Sequence, residues 1–328
     1  MNRQRFLRQR QPEWTAFEEL LIQLRKTRKS RWENTALSEL SRMYRSICHD
    51  LSLVRSREWG DQLETYLNRL VAAGHNFLYR TPPPNLWSLV EFLIIGFPIL
   101  LRKHQVFFWS ALGLFAIPFL VAMTGSIANP RFASGVLPAN QLESVGDMYA
   151  KPLAERVDPE YTDGRSAMAG FYVYNNIGIA FRCFATGAFF GIGTIHQLLL
   201  NGLFLGAVSG YIIGIGHGAN FGSFVISHGS FELTALVIAG ASGLMLGWGL
   251  IYRGDRSRRD SIRYHGMESV KLIAGAAAML AVAALIEAFF SPLPIAPWIK
   301  FATGTVLWSL VIAWLALAGR GRGGPDEG

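Results

Sequence analysis

An all-α protein is expected: a polytopic helical membrane protein with an N-terminal cytosolic helical domain. Three observations lead there. The 328-residue chain is 51% hydrophobic and only 16% charged, well below the roughly 25% charged residues of a soluble domain. The charges crowd before Arg80 and into a few short clusters, and long apolar runs fill the gaps. Apolar residues recur at helical spacing in the polar first part as well as in the apolar remainder.

Residues 1–84 read as a cytosolic amphipathic helical domain. Trp14, Phe17, Leu20, Leu21 and Leu24 share one helix face, and a basic run from Arg25 to Arg31 follows. A second helix carries Leu37, Leu40, Met43, Tyr44, Ile47, Leu51 and Val54. A third carries Leu63, Tyr66, Leu67, Leu70 and Val71, ending near Gly74 or at Tyr79. Pro82-Pro83-Pro84 stops it, because proline lacks the donor a continuing helix needs. Residues 85–104 read as an interfacial elbow helix. Their run LWSLVEFLIIGFPILL is apolar but short and holds Glu91 and Pro98. A re-entrant segment is the alternative.

Residues 105–318 are expected to form a six-helix transmembrane domain, followed by a cytosolic tail at 319–328. The spans fall near 105–127, 171–195, 198–216, 229–251, 270–290 and 298–318. Each reaches or approaches the ~20 residues that cross hydrocarbon. The loop 128–170 carries Glu143, Asp147, Glu155, Asp158, Glu160 and Asp163. Within it Leu142, Val145, Met148, Tyr149 and Leu153 suit a short amphipathic helix on the outer leaflet, ending near Pro152. Arg102 and Lys103 precede the first span, Arg253, Arg256, Arg258, Arg259 and Arg263 follow the fourth, and Arg320 and Arg322 follow the last. Basic loops stay in the cytosol. Both termini are therefore cytosolic and the acidic loop faces outward, which six crossings satisfy.

Gly202, Gly206, Gly210, Gly214 and Gly218 recur every fourth residue, on one face of a helix. In a membrane such a bare face lets a neighbouring helix approach closely. Asn175, Asn176 and Arg182 lie in the second span, with Arg182 near its middle. A charge there needs a partner; a structural clamp or a contact with an anion or headgroup would supply it. Asn201 opens the glycine-rich helix as a cap or a cross-bundle donor. His228 and Glu232 stand four residues apart where the fourth span begins, and Arg182 is an expected partner of Glu232. Glu287 closes the fifth span, either at the outer boundary or facing the same cavity as His228. Lys300 is a neighbour of that cavity or faces headgroups. Trp248, Trp298 and Trp308 read as interface anchors or packing.

No cofactor is predicted. Zinc or another divalent metal at His217, His228 and Glu232 is the alternative, although the HExxH pattern is absent. No Walker A sequence, dinucleotide GxGxxG, serine elbow or haem CxxCH is present, so soluble-enzyme chemistry has no motif to stand on. The net charge of +8 sits beside membrane segments, which points to topology and anionic lipid rather than nucleic acid. Cys48 and Cys183 fall on different expected domains and are not expected to pair.

The chain resembles the stage II sporulation protein M family of integral membrane proteins. The soluble part matches in LSELSRMYRSICHDLSLVR and YLNRLVAAGHNFLYR. The membrane part matches in FYVYNNIGIAFRCFATGAFFGIGT, LNGLFLGAVSGY, ISHGSFELTALVIAGASGLMLG and ALIEAFFSP. Asn176, Arg182, Asn201, Gly202, His228, Gly229 and Glu232 are the family-type residues. In sporulating relatives the named member takes part in engulfment, in a membrane complex with a peptidoglycan-degrading protein and a localising partner. The resemblance implies a bacterial inner-membrane protein with an envelope role and assigns no catalytic residue. The expected function is a scaffold or regulatory component of a cell-envelope complex, without bond chemistry of its own. Expected partners are the lipid bilayer, including anionic lipid, other envelope or cytosolic proteins, and a second copy of the chain. The rivals are a transporter, channel or lipid-handling protein with a polar cavity around Arg182, and a metal-dependent hydrolase using His217, His228 and Glu232.

Overall fold

Three helices fold the N-terminal part around Trp14: α1 (Arg3–Lys26), α2 (Asn34–Ser56) and α3 (Asp61–Leu78). The structure is a computed structural model that describes residues 2–26, 34–78, 86–151 and 165–321. Phe6, Trp14 and Phe17 of α1 pack with Leu40, Ile47 and Val54 of α2 and with Leu63, Leu67 and Leu70 of α3. Burying each such side chain contributes roughly 1.5–3 kcal/mol. The apolar spacing thus places the core correctly. Gly74 does not end α3: it lies inside the helix, where an added Cβ would meet Phe17 at 2.7 Å and Tyr44 at 2.9 Å. Its missing side chain lets α3 close on its neighbours. Asp50 is buried at 3% exposure. It accepts hydrogen bonds from the Trp14 indole at 2.8 Å and from Arg10 Nε at 2.8 Å. The expected basic run beyond Lys26 and the proline tripeptide lie outside the described residues.

Residues 1–84 and 85–328 form two separate compact units. The second begins with α4 (Leu86–Glu91), a π-type turn at Phe92–Gly96 and α5 (Phe97–Lys103). Leu86 and Trp87 of α4 are exposed, while Phe97, Leu100 and Leu101 of α5 are buried. Then come α6 (Gln105–Ala128), α7 (Arg131–Ser134), α8 (Ala139–Ala150), α9 (Arg165–Ala185) and α10 (Ile192–Gly214). The last three helices are α11 (Gly218–Ile251), α12 (Arg258–Phe289) and α13 (Pro297–Leu317). Among the described residues, α6, α10, α11, α12 and α13 are each long and apolar enough to cross a membrane. The chain is a multi-pass helical membrane protein.

The glycine face packs as a seam. A Cβ on Gly202, Gly206 or Gly210 would collide with the carbonyl oxygen of Phe115, Phe119 or Met123 of α6. Both series ascend together, so α6 and α10 run parallel. The seam is shorter than its sequence spacing suggests. Helix α10 stops at Gly214, Gly216 turns the chain with φ +91°, and Gly218 opens α11. On the other side, Gly240 meets Leu198, Gly243 meets Thr194 and Gly247 meets Gly191, so α10 and α11 are antiparallel.

The expected span 171–195 is not one helix. Helix α9 ends at Ala185, a tight 3-10 turn covers Thr186–Ala188, and Gly191 at φ +82° starts α10. Helix α9 is not among the five apolar candidates. Its Asn175, Asn176 and Arg182 lower its hydropathy, and it packs against α11 and α12 instead of lipid alone.

Basic residues gather at one end of this unit. Arg102 donates to the carbonyl oxygens of Leu315 and Ala318, and His104 lies 3.3 Å from Glu268. Arg253, Arg256, Arg258 and Arg259 are exposed in and beside the α11–α12 turn. The opposite end holds α8, where Leu142, Gly146 and Tyr149 are buried and the Tyr149 carbonyl accepts from Asn220 at 2.9 Å. This is the expected amphipathic helix of the 128–170 loop. Pro152, Leu153, Glu155, Asp158, Glu160 and Asp163 lie outside the described residues.

Candidate functional site

Helix α11 carries His228 and Glu232 one turn apart, and α12 brings Glu287 to them from its last turn. Small residues make the approach possible. Ala283, Ala284 and Ala288 flank Glu287 on the buried face of α12, and Ser227, Gly229 and Ser230 flank His228. The potential donor atoms of His228, Glu232 and Glu287 all lie within 4.8 Å of one another. His228 is 4% exposed and Glu287 7%, whereas the Glu232 side chain keeps 26% of its surface open.

The His228 ring is held from behind. Its Nδ1 lies 2.9 Å from the Ser291 hydroxyl, and the Phe224 ring packs edge-on at 5.3 Å. That leaves Nε2 facing Glu232 Oε2 at 3.9 Å, beyond hydrogen-bond range. Lys300, in the first turn of α13, is buried at 1% exposure and donates to the Ser291 carbonyl at 2.6 Å. Helix α13 reaches this depth because Gly304 lies bare against Ile226. Glu287 Oε2 is buried without a hydrogen-bond partner.

Glu232 also faces a cavity of about 310 Å³. Asn175, Asn176 and Ile179 of α9, Asn201 and Phe204 of α10, and Leu236 of α11 help to line it. Three of the sequence-predicted amides therefore converge with a carboxylate on one cavity whose other lining residues are apolar. Asn201 does so from inside α10, not from its start, with its amide donating to the Gln197 carbonyl at 2.7 Å.

Three expected site residues stand differently. Arg182 is exposed in the last turn of α9 and takes part in no ion pair among the described residues. It does not line the cavity. Because the helix breaks three residues later, Arg182 lies near a helix end, not at mid-span. The expected Arg182–Glu232 pair is not formed. His217 precedes α11 by one residue and stays outside the His228 cluster, since eleven residues of helix separate it from His228 by about 16 Å. Glu287 replaces it: it points inward instead of marking the outer boundary. Sequence reasoning passed over Ser291, a lone serine beyond a helix end, whose position opposite His228 depends on how α12 and α11 pair.

A nitrogen donor and two carboxylates around a shared space can bind a divalent cation, hold a proton between them, or fix the helices to each other. Both cysteines are free, with Cys183 buried in the bundle. A family model described as stage II sporulation protein M matches residues 106–292, more than half of the chain. A second model, described as a domain of unknown function, matches residues 4–80. No curated protein and no solved structure matches the chain.

Proposed function

The chain belongs to the stage II sporulation protein M family, and on that premise we propose that it is a scaffold or regulatory component of a cell-envelope complex in the bacterial inner membrane. One observation carries this reading. A helical unit with its own core, residues 1–84, shares a chain with a multi-pass bundle. The positive-inside rule puts the end bearing Arg102, Arg253 and Arg259 in the cytosol. The termini lie on the same side, with six crossings once α9 is counted as the return between the parallel helices α6 and α10. Residues 85–104 are read as an interfacial elbow helix at the membrane surface. Anionic lipid is the natural neighbour of the arginine-rich end. Arg3, Arg5 and Arg8 are exposed on α1 and give the soluble unit a basic face for a partner.

Native electrophoresis of mildly solubilised membranes tests this. The full chain should migrate well above the purified chain. Deleting residues 2–84 should leave the protein in the membrane fraction but bring its band down to the purified size. A full-length band at the purified size from native membranes overturns the reading.

The cavity favours a second reading, a transporter or lipid-handling protein built around Asn175, Asn176, Asn201 and Glu232 in place of Arg182. Flux or lipid exchange in proteoliposomes that Asn201→Leu abolishes would support it; equal traces with and without protein would remove it. The hydrolase reading through His217 loses its third ligand with the placement of that residue.

A further inference from the structure

We propose that His228, Glu232 and Glu287 form a binding site for one divalent transition-metal ion of the zinc class. The inference stands apart from the scaffold reading, since a metal could be structural, regulatory or catalytic there. Three features of the geometry carry it. The donor set is one imidazole nitrogen and two carboxylates, with all donor atoms within 4.8 Å. Donors 2.0–2.2 Å from a tetrahedral ion lie about 3.4 Å apart, so a modest rotation of the two glutamate side chains closes the site. The His228 ring is already oriented: Ser291 holds Nδ1 at 2.9 Å, and Nε2 turns to Glu232. A metal-ligating histidine characteristically has its other nitrogen occupied in this way.

The third feature is what the residues leave unmet. Glu287 Oε2 is buried with no hydrogen-bond partner, and two carboxylates at this distance repel unless a proton or a cation lies between them. Lys300 is the nearest buried cation, yet its amine is committed to the Ser291 carbonyl and makes no ion pair with Glu232 or Glu287 among the described residues. A divalent ion would balance both acids and satisfy the orphaned oxygen. Glu232 lines the cavity, so a fourth position on its side of the ion would be open to water or a small ligand. Three protein ligands with one open position is the pattern of reactive rather than purely structural zinc sites.

The test uses the full chain in detergent micelles, purified through a tag free of histidine, stripped with chelator, and supplied with Zn²⁺, Mn²⁺ or Co²⁺. Elemental analysis should return about one Zn²⁺ or Co²⁺ per chain. The Co²⁺ form should show the visible absorption of four- or five-coordinate nitrogen–oxygen ligation. His228→Gln and Glu287→Gln should each weaken binding at least about tenfold, and His217→Ala should leave it unchanged. Should either variant fail to fold, Glu232→Gln, on the more open side chain, replaces it. Folded wild-type protein that takes up none of the three ions at micromolar concentration overturns the proposal. So does binding that survives both His228→Gln and Glu287→Gln, or a purely octahedral aquo-like Co²⁺ spectrum.

Discussion

Asp50 shows what one buried charge does for a small helical unit. It joins α1 to α2 by accepting from the Trp14 indole and from Arg10, which also contacts Ser46 and pairs with Glu13 at 2.6 Å. Truncating such an acceptor strands a buried indole N–H and a half-buried guanidinium. Asp50→Ala should destabilise the N-terminal unit by about 2–4 kcal/mol. Hydrogen exchange on the full chain would show protection falling in α1 and α2 and holding in α11; unchanged protection in α1 would refute it. In the bundle, single side chains were unevenly legible in the sequence. His228 and Glu232 could be paired because four residues on a helix is a contact distance. Glu287, Ser291 and Lys300 meet them only through tertiary packing, which no local spacing encodes. Arg182 was misplaced because hydropathy saw one apolar run where the backbone makes a turn at residues 186–191.

The helix pair α6–α10 depends on what three glycines lack. At Gly206 the α6 backbone comes so close that a methyl group would overlap the Phe119 carbonyl. Gly206→Ala should therefore lower stability by about 1–3 kcal/mol through overpacking. Gly113→Ala, also on α6 but with nothing within 4 Å of its Cβ position, should be neutral or stabilise by about 0.4–1 kcal/mol. Thermal unfolding of the two variants in the same detergent compares them directly, and equal midpoints would discard the seam as a stability determinant. The four-residue glycine period announced this element plainly. Its limits were hidden, because Gly216 and Gly218 continue the composition past the helix end. A glycine that turns the chain, like Gly216, looks in sequence like a glycine that packs.

Two family models match the two compact units separately: one lies within residues 1–84 and the other begins as α6 begins. The basic end and the α8 end of the bundle give the molecule a polarity that labelling can read. In a background with Cys48→Ala and Cys183→Ala, an impermeant maleimide on intact cells should modify Ser144→Cys on α8. It should reach Ser257→Cys, between α11 and α12, only after permeabilisation. The reverse pattern would invert the orientation. Parallel packing of α6 and α10 demands a return path that hydropathy alone under-reports, because α9 carries Asn175, Asn176 and Arg182.

About three turns beyond Glu232 on α11, main chain rests on main chain: Gly187 lies against Gly243, Gly191 lies against Gly247, and the Thr194 hydroxyl donates to the Cys183 carbonyl at 2.6 Å. A joint laid from backbone cannot swing aside as a side chain can. Opening the bundle at this level would mean parting whole helices, not turning a rotamer.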